Sequence, residues 1–438
     1  MSKMKDSGIE WIDEIPLDWT VKPLKWVVKF GKGLPITKDN LIEQGVPVVS
    51  YGQIHSKTNN GTHLQDDLIR FVSETYLKSN PLSLGKKGDI FFADTSEDYA
   101  GIGNAVLVDI DTPIFAGYHT VIVRPDDQSY SRYLAYLFLT DAWRSQLCSR
   151  ASGIKVFSIT QGLLKKTTVI LPPAEKAVAM TDYLDRKCSQ IDAIITRQQE
   201  VIENLKAYKL SVITEAVTKG LNPDTPMKDS GVEWIREIPE YWQLSHIGNL
   251  VEMGAGGTPD RKKPEYWENG NIPWMSSGEI NDEYIHSTTE HITELGLQNS
   301  NAKILPVNTV MLGLIGQGKT KGLTAILKTE VCCNQNLAYL IADEKYLHYR
   351  YLFYCFKAMY FYIRGLVGES QAGIYSYFLK KLHIPLPDIE QQIRISDYLD
   401  IKCEAIKNSI NKRERIIEKF TNYKRSLIYE VVTGKKEV

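Results

Sequence analysis

The sequence predicts an α/β protein in which one unit, a globular head followed by a long helix, occurs twice. Three observations predict it: a sixteen-residue string that recurs, short β-type runs between turn signals, and two long stretches without Gly or Pro. The expected domains are a first head at 1–172, a first long helix at 173–220, a second head at 221–387 and a second long helix at 388–438.

The repeat opens each copy of the unit. MKDSGIEWIDEIPLDW at 4–19 matches MKDSGVEWIREIPEYW at 227–242 at twelve of sixteen positions, with an offset of 223. A second match pairs YLD-x-KC at 183–188 with YLD-x-KC at 398–403, with an offset of 215. The second copy is therefore eight residues shorter between these anchors (223 − 215). Two copies of domain size predict an internal pseudo-two-fold duplication.

The heads show the pattern of short strands. Runs such as VPVVSYGQI, GDIFFAD and HTVIVRP recur in the first head, and IPWMSSGEI, NTVMLGLI and LAYLIAD in the second. Such runs, bounded by Gly, Pro and Asn, are typical of β-strands. Helical stretches such as SRYLAYLFLTDAWRSQL interrupt them. Each head is therefore expected to be a curved, mostly antiparallel sheet with added helices.

Each long helix carries an apolar seam at alternating spacings of four and three, as in a heptad repeat. The seam comprises Leu184, Cys188, Ile191, Ile195, Gln198, Ile202, Leu205, Lys209, Val212 and Ala216, and then Leu399, Cys403, Ile406, Ile410, Arg413, Ile417, Phe420, Lys424, Leu427 and Val431. Two surface helices packed on their own heads are one interpretation. The matched polar interruptions favour the other, an antiparallel coiled coil.

The predicted coiled coil has a consequence for the heads. A helix of about 37 residues spans roughly 55 Å at 1.5 Å per residue. Since the first helix must pass the chain to the second head, an antiparallel pair is expected to carry one head at each end. The pair would then act as a rigid spacer between two similar domains.

Composition limits the class of protein. The net charge is −1, so any nucleic-acid binding must depend on local positive charge. The absence of an eighteen-residue apolar run and of an N-terminal apolar segment predicts a cytoplasmic chain without a membrane contact. The six cysteines form no CxxC pair, so neither a metal site nor a disulfide framework is expected, and the thiols should be reduced and mostly buried.

With these motifs in order, the chain resembles the specificity subunit of type I restriction-modification enzymes. The resemblance rests on DSGIEWIDEIP, the turn Gly257-Thr258-Pro259, the IPW-x-SSGEI strand, and P-x-x-E followed by a YLD helix. It covers essentially the whole chain. It implies two target-recognition domains, each reading one half of an interrupted, asymmetric double-stranded DNA sequence, with the helices setting the gap.

The resemblance also implies partners and a division of labour. Two methyltransferase (modification) subunits would dock on the helices, and restriction-translocase subunits would join through them. This chain would be non-catalytic and without a cofactor. S-adenosylmethionine, ATP and magnesium would belong to the partners, and the assembled complex would carry DNA adenine methyltransferase and site-specific endonuclease activity.

Polar side chains that punctuate the predicted strands are the candidates for DNA contact, because they can read base edges or hold phosphates. An alignment offset of 216 places His119 opposite Gln335. The cluster Arg261-Lys262-Lys263 is a candidate phosphate contact. The full set is Lys32, Lys38, Tyr51, Gln53, His55, Lys57, Thr95, Ser96 and His119 in the first head, and Arg261, Lys262, Lys263, Ser276, Ser277, Gln317, Lys319, Lys321 and Gln335 in the second.

One motif favours a different class of protein. GLIGQGKT at 313–320 matches the phosphate-loop pattern GxxxxGK[ST], which would make the chain an NTPase, or a nuclease acting on DNA through this loop. Such a loop must open a helix, whereas the residues after it are short, contain Gly322 and are β-like. A tight turn that presents Gln317 and Lys319 to DNA is the preferred interpretation. A third interpretation is a purely structural coiled-coil linker. The many polar side chains in the heads argue against it.

Overall fold

The computed structural model describes residues 3–151, 153, 156–315, 320–366 and 373–438. None of the helices in this part of the chain is long and apolar enough to cross a membrane. The chain divides into two compact units, residues 1–198 with 415–438, and residues 199–414. Neither unit coincides with one copy of the repeat, because each unit contains a head together with half of each long helix.

The first unit contains the first head. Its strands are β1 Met4–Ile9, β2 Ile12–Pro16, β3 Thr20–Pro23, β4 Val28–Lys32, β5 Val46–Val49, β6 Arg70–Val72, β7 Leu84–Gly85, β8 Ile90–Ala93, β9 Thr95–Ser96, β10 Ala105–Leu107, β11 Ile114–Ala116, β12 Thr120–Pro125, β13 Phe157–Ser158 and β14 Thr168–Leu171. Its helices are α1 Tyr51–Ile54, α2 Tyr76–Ser79, α3 Ser131–Phe138, α4 Asp141–Cys148, α5 Gln161–Leu164 and the first part of α6 Ala174–Lys219.

Two four-stranded sheets form the body of the first head. One is antiparallel, in the order β10-β8-β12-β4, and the other has the order β6-β5-β11-β7. In the second sheet β5 and β11 run parallel, with Val49 beside Ala116. Fully buried Phe92, Phe138 and Trp143 pack between the first sheet and helices α3 and α4. The mostly antiparallel character is as expected, although the strands divide into two main sheets.

The second unit contains the second head. Its strands are β15 Met227–Asp229, β16 Glu237–Pro239, β17 Gln243–His246, β18 Val251–Ala255, β19 Ile272–Met275, β20 Tyr284–Ile285, β21 Glu290–Ile292, β22 Val310–Gly313, β23 Thr324–Leu327, β24 Cys332–Cys333, β25 Leu337–Ala342 and β26 His383–Leu386. Its helices are α7 Glu294–Gln298, α8 Tyr349–Ala358, α9 Tyr360–Leu366, α10 Ser376–Lys380 and the first part of α11 Ile389–Val432.

The second head repeats this plan with one sheet of five strands, β18-β25-β22-β23-β20, and one of three, β21-β19-β24. Strands β19 and β24 run parallel, with Met275 beside Cys333. This is the counterpart of the β5/β11 pair in the first head. All six cysteines of the chain are free thiols, and the expected burial is found for five of them.

The long helices are longer than the 37 residues expected, at 46 residues for α6 and 44 for α11. The extra turns precede the seam, where Ala177 and Met180 pack into the first head. Every predicted seam residue is buried or half-buried: Leu184, Cys188, Ile191, Ile195, Gln198, Ile202, Leu205, Lys209, Val212, Ala216, Leu399, Cys403, Ile406, Ile410, Arg413, Ile417, Phe420, Lys424, Leu427 and Val431.

Within the first unit the two helix segments run antiparallel. Lys424 Nζ of α11 lies 2.7 Å from Asp192 Oδ2 of α6. Helix α3 contacts both long helices: Tyr133 donates a hydrogen bond to the Val432 carbonyl on α11, and Tyr136 donates one to Asp185 on α6. Val432 lies two turns after Lys424, whereas Asp185 lies two turns before Asp192, so the chain directions are opposite. The matched seam positions Lys424 and Lys209 have different partners, however. Lys424 bonds the other helix, whereas Lys209 bonds Glu283 of the second head.

A repeated R-Y-L-x-Y motif, which was not recognised from the sequence, connects each head to its helices. Arg132 and Tyr136 of α3 both bond Asp185 on α6. In the second unit, Arg350 and Tyr354 of α8 bond Asp400 on α11 in the same way. The aspartate of the repeated YLD string is therefore the helix side of this fastening.

The repeated N-terminal string is a hairpin that closes over a helix end. In the first unit it is β1 paired with β2, and the Lys5 ammonium bonds the backbone carbonyls of Leu17 and Trp19. Trp19 is buried, and a Cβ on Gly434, just past α11, would lie 3.1 Å from its ring. Trp242 and Gly220 repeat this contact in the second unit. The strong duplication of the string therefore has a structural reason.

Candidate nucleic-acid interface

Four loops of the first head meet at one end of its sheets. Backbone bonds join them: Gly33 N donates to Thr120 O (3.0 Å), Asp94 N to His119 O (3.0 Å), and Tyr51 N to Tyr118 O (3.2 Å). We call residues 33–38, 50–53, 94–98 and 117–119 the loop edge of the first head. The carboxyl ends of β4, β5 and β8 and the start of β12 position these loops.

The second head has the same edge. Gly256 N donates to Leu337 O (3.2 Å), Leu314 N to Asn336 O (2.8 Å), and Asn334 N to Met275 O (3.1 Å). The loop edge of the second head therefore comprises 256–263, 276–279, 314–315 and 334–336 among the described residues. Residues 46–54 correspond to 272–280, because β5 and β19 both lead into an edge loop.

Glycine permits two of these loops to touch. A Cβ on Gly33 would lie 1.9 Å from the carbonyl O of Gly117, and one on Gly256 would lie 2.1 Å from that of Cys333. No side chain fits at such distances. In the first head, the loop 33–38 is thus held against a three-residue loop, 117–119. In the second head, the loop 256–263 is held in the same way against the three-residue loop 334–336.

The three-residue loops correct the alignment of His119 with Gln335. Gly117 N bonds Val49 O, as Asn334 N bonds Met275 O. These equivalent bonds set an offset of 217, so His119 corresponds to Asn336 and Gln335 to Tyr118. The offset of 216 was wrong by one residue, because sequence identity in this segment is too low to fix the register.

An aromatic cluster dominates the edge of the first head. The ring of Tyr51 lies 5.5 Å from that of Tyr118, 5.4 Å from that of His119 and 6.2 Å from that of His55. The His55 ring is held on both sides, since Nε2 bonds Thr95 O (2.8 Å) and Nδ1 accepts from Asn104 (3.1 Å). His119 is exposed, and its Nδ1 lies 3.1 Å from Asp94 Oδ1.

The other candidates of the first head differ in availability. Lys32, Lys38 and Lys57 are exposed: Lys32 ends β4, Lys38 lies on the edge loop that follows it, and Lys57 lies beyond α1. Gln53 is half-buried and its Oε1 accepts from Ser50 N, at the start of α1. Ser96 is buried and its hydroxyl donates to Asp98 O, so it supports the loop and is not available to a ligand. Thr95 is half-buried and supports His55.

The cluster Arg261-Lys262-Lys263 does not form three equivalent free cations. The guanidinium of Arg261 makes two bonds to the Glu290 carboxylate and lies 3.7 Å from the ring centroid of Trp267. The hydrogen bond to Glu290 raises the pKa of Arg261. Lys263 Nζ bonds the Tyr266 hydroxyl (3.0 Å). Lys262 is exposed, and within the described ranges its one hydrogen bond is from the backbone N–H to Asp260.

The remaining candidates of the second head lie in different settings. Gln335 is exposed, and its Oε1 accepts from the Thr258 hydroxyl. Ser276 and Ser277 are half-buried at the turn that follows β19. Lys321 is only 8% exposed, so it is poorly placed to contact DNA. Gln317 and Lys319 lie outside the described residues.

The phosphate-loop reading of 313–320 fails on the residues that flank the loop. Gly313 ends β22, and after a turn at 320–323 the chain returns as β23, antiparallel to β22. Gly322 N donates to Gly313 O (2.9 Å). A nucleotide-binding loop must instead open a helix whose N-terminus holds the phosphate. Across the described residues, no group of three or more His, Cys, Asp or Glu side chains is placed to hold a metal ion.

Several residues in or beside the edges were not found from the sequence. Asp94, Asn104, Thr258 and Glu290 orient candidates that lie 25 to 77 residues away in the chain. No local pattern marks such partners. The R-Y-L-x-Y motif, by contrast, occurs in both copies and could have been detected as part of the repeat.

Comparison with known proteins assigns the fold to a family. The family model described as type I restriction modification DNA specificity domain matches residues 16–204 and 239–418. The chain is 30% identical over 215 residues to the specificity subunit of the Escherichia coli type I restriction enzyme EcoR124I/EcoR124II, covering 46% of this chain and 49% of that subunit. This match thus spans about half of the relative's length.

One further relative and one solved structure match nearly the whole chain. The putative type I restriction enzyme MjaX specificity subunit of Methanocaldococcus jannaschii is 24% identical over 439 residues, covering 98% of this chain and 96% of that subunit. One chain of a solved structure, which concerns the complex assembly and conformational transition of the type I R-M system, matches this chain with a TM-score of 0.73 at 17% identity. The match covers 96% of this chain and 99% of that chain. That likeness shows a shared fold. Since the family model matches most of the chain, once in each copy, the chain belongs to the type I restriction modification DNA specificity domain family.

Proposed function

We propose that this chain is the DNA-reading subunit of a type I restriction-modification complex. Each head reads one half of a bipartite double-stranded DNA target through its loop edge. The observation that carries the proposal is the recurrence of one loop edge in both heads of a chain whose two copies each match the DNA specificity domain.

The chemistry of the edges supports sequence reading. Base edges are distinguished by hydrogen-bond donors and acceptors in the major groove, and phosphates by positive charge. The first edge offers His119 and Lys38, with Lys32 at the adjoining end of β4, and the second edge offers Gln335 and Lys262, all exposed. Because the side chains at the two edges differ, the two half-sites should differ, and the whole target should be asymmetric.

The long helices support the role of spacer. A helix of 46 residues is about 69 Å long at 1.5 Å per residue. Half-sites read from one face of B-DNA lie about 34 Å apart, or a multiple of that distance. Helices of this length therefore suffice to set the gap between half-sites.

We assign the chemistry of the complex to partner subunits. Two methyltransferase subunits would dock on the helices and bind S-adenosylmethionine, and restriction-translocase subunits would bring ATP and magnesium. This chain would contribute recognition without catalysis. Its own candidates, at both edges, are groups that bind or orient.

Selection from a randomised double-stranded DNA library tests the proposal. The complex of this chain with its modification subunit should enrich one asymmetric sequence made of two specified halves and a gap of constant length. The modification subunit without this chain should enrich none. A single contiguous sequence, a palindrome, or no enrichment by the complex would contradict the proposed function.

A further inference from the structure

We propose that the three-residue loop at each edge carries the base-reading side chain of its head, and that a second side chain presets which hydrogen-bonding group the reader presents. The pairs are His119 with Asp94 in the first head and Gln335 with Thr258 in the second. This inference rests on the proposed function and names the residues that decide which base is read.

In the first head, a carboxylate fixes the polarity of the reader. His119 Nδ1 lies 3.1 Å from Asp94 Oδ1. An ionised carboxylate can only accept a hydrogen bond, so in this pair Nδ1 carries the proton and donates it to Asp94. In the neutral ring Nε2 then holds the lone pair. The His119 side chain is 57% exposed, and among the described residues no hydrogen bond is made to its Nε2. The ring therefore offers an acceptor to solvent.

The backbone of His119 is a second, independent sign of a constrained position. Its φ is 54°, in the left-handed region that residues other than Gly rarely adopt. Such strain persists only where the surroundings impose it, and it concentrates at functional sites. Here the Asp94 N–H bonds the His119 carbonyl at 3.0 Å, so one residue holds both the backbone and the ring.

The neighbouring His55 shows the contrast. Its two ring nitrogens are occupied by Thr95 O and by the Asn104 amide, and the ring is half-buried. His55 therefore has no ring nitrogen left for a base. Of these two histidines, His119 is the one with a ring nitrogen that can meet a base.

In the second head, a hydroxyl sets the opposite polarity. The Thr258 hydroxyl donates to Gln335 Oε1, from the edge loop after β18. This bond takes one of the two lone pairs of the carbonyl and fixes the orientation of the amide, and the exposed side chain then offers the two N–H donors of Nε2. The reader of this head is therefore a donor.

The two polarities select different bases. In the major groove, donors are the amino groups of adenine N6 and cytosine N4, whereas acceptors are N7 of both purines, guanine O6 and thymine O4. The acceptor on His119 should thus favour an amino-bearing base, adenine or cytosine, at one position of the first half-site. The donor on Gln335 should favour an acceptor-bearing base edge at one position of the second.

The test is the randomised-library selection, run on complexes with Asp94→Asn, His119→Gly, Thr258→Val and Thr258→Ser. Asp94→Asn lets the partner donate or accept, so the preference at one position of the first half-site should fall about five- to tenfold. His119→Gly relieves the backbone and should abolish that same preference. Thr258→Val should weaken one position of the second half-site to a similar degree, and Thr258→Ser, which keeps the hydroxyl, should restore it.

The unaffected half-site is the control for folding in every variant. If each variant changes one base position and leaves the other half-site intact, the inference holds. If the Asp94 or Thr258 variants change no position, or erase a whole half-site at once, these residues are not presetting a reader and the inference is overturned. Failure of the unsubstituted complex to select any bipartite sequence would instead overturn the proposed function, and this inference with it.

Discussion

A single carboxylate, Glu283, joins three elements of the second unit. Its Oε1 lies 2.6 Å from Lys357 Nζ on α8 and 3.1 Å from Lys209 Nζ on α6. Burial alone would raise the pKa of Glu283, but Lys357 and Lys209 outweigh it and lower the pKa to about 2. One residue thus ties the second head to the spacer helix, and this tie depends on its charge.

The Glu283→Gln variant should therefore show a pH-dependent loss of stability. The pKa of the folded state lies below the ordinary 4.5, so the stabilisation is complete above about pH 4.5 and is lost as the pH falls towards 2. Allowing for solvent screening of a partly exposed side chain, the loss at pH 7 should be about 1–2 kcal/mol. Denaturant unfolding at pH 7 and at pH 3 measures it.

Glu268→Gln is the matched control, since Glu268 is an exposed residue of the same head. It should leave the free energy of unfolding unchanged at both pH values. A Glu283→Gln deficit that is the same at pH 7 and pH 3 would show that the carboxylate charge does not carry the tie.

Two residues of the basic cluster, Arg261 and Lys262, are expected to respond differently to substitution. Lys262→Ala should weaken DNA binding evenly across sequences and reduce the slope of log affinity against log salt by about one. Arg261→Ala should instead destabilise the second unit by about 1 kcal/mol, because it removes the stacking on Trp267 and leaves Glu290 unpaired. Titrations at several salt concentrations, with thermal unfolding, distinguish them. An unchanged slope for Lys262→Ala would argue against a phosphate contact.

At the scale of elements, periodic features were predictable and cross-loop pairs were not. The seam from Leu184 to Ala216 was found because heptad spacing is a local property of the chain. The strands β5 and β19 were found because β-type runs lie between turn signals. The pairing of Asp94 with His119 joins two loops, and the register of 117–119 against 334–336 depends on sheet pairing. Neither leaves a mark in a single sequence.

The close contact between two loops of the second edge, at Gly256 and Cys333, can be tested by substitution. Gly256→Ala places a methyl group about 2 Å from the Cys333 carbonyl, so the loop that carries Thr258 must move. The complex should lose the sequence preference of the second half-site and keep that of the first. Gly278→Ala is the control, because its nearest atom lies 3.9 Å away in the same edge. A Gly256→Ala complex that reads both halves normally would contradict this account of the edge.

At the scale of the whole molecule, the two copies of the repeat share their structural frame and differ at their loop edges. The hairpin with Trp19 or Trp242, the R-Y-L-x-Y motif, and the aspartates Asp185 and Asp400 repeat between the copies. The edges diverge, from an aromatic cluster around Tyr51 to hydroxyl and amide groups around Gln335. A constant frame with two different reading surfaces is what an asymmetric bipartite target requires.

Exchange of one head tests this claim most directly. Residues 20–172, which leave the N-terminal hairpin and both long helices in place, would be replaced by the equivalent segment of another family member. The genome of cells expressing this chain with its modification subunit would then be sequenced for modified bases. We predict that one half of the modified sequence changes, while the other half and the gap length stay the same. A change in both halves, or no change in either, would contradict the account.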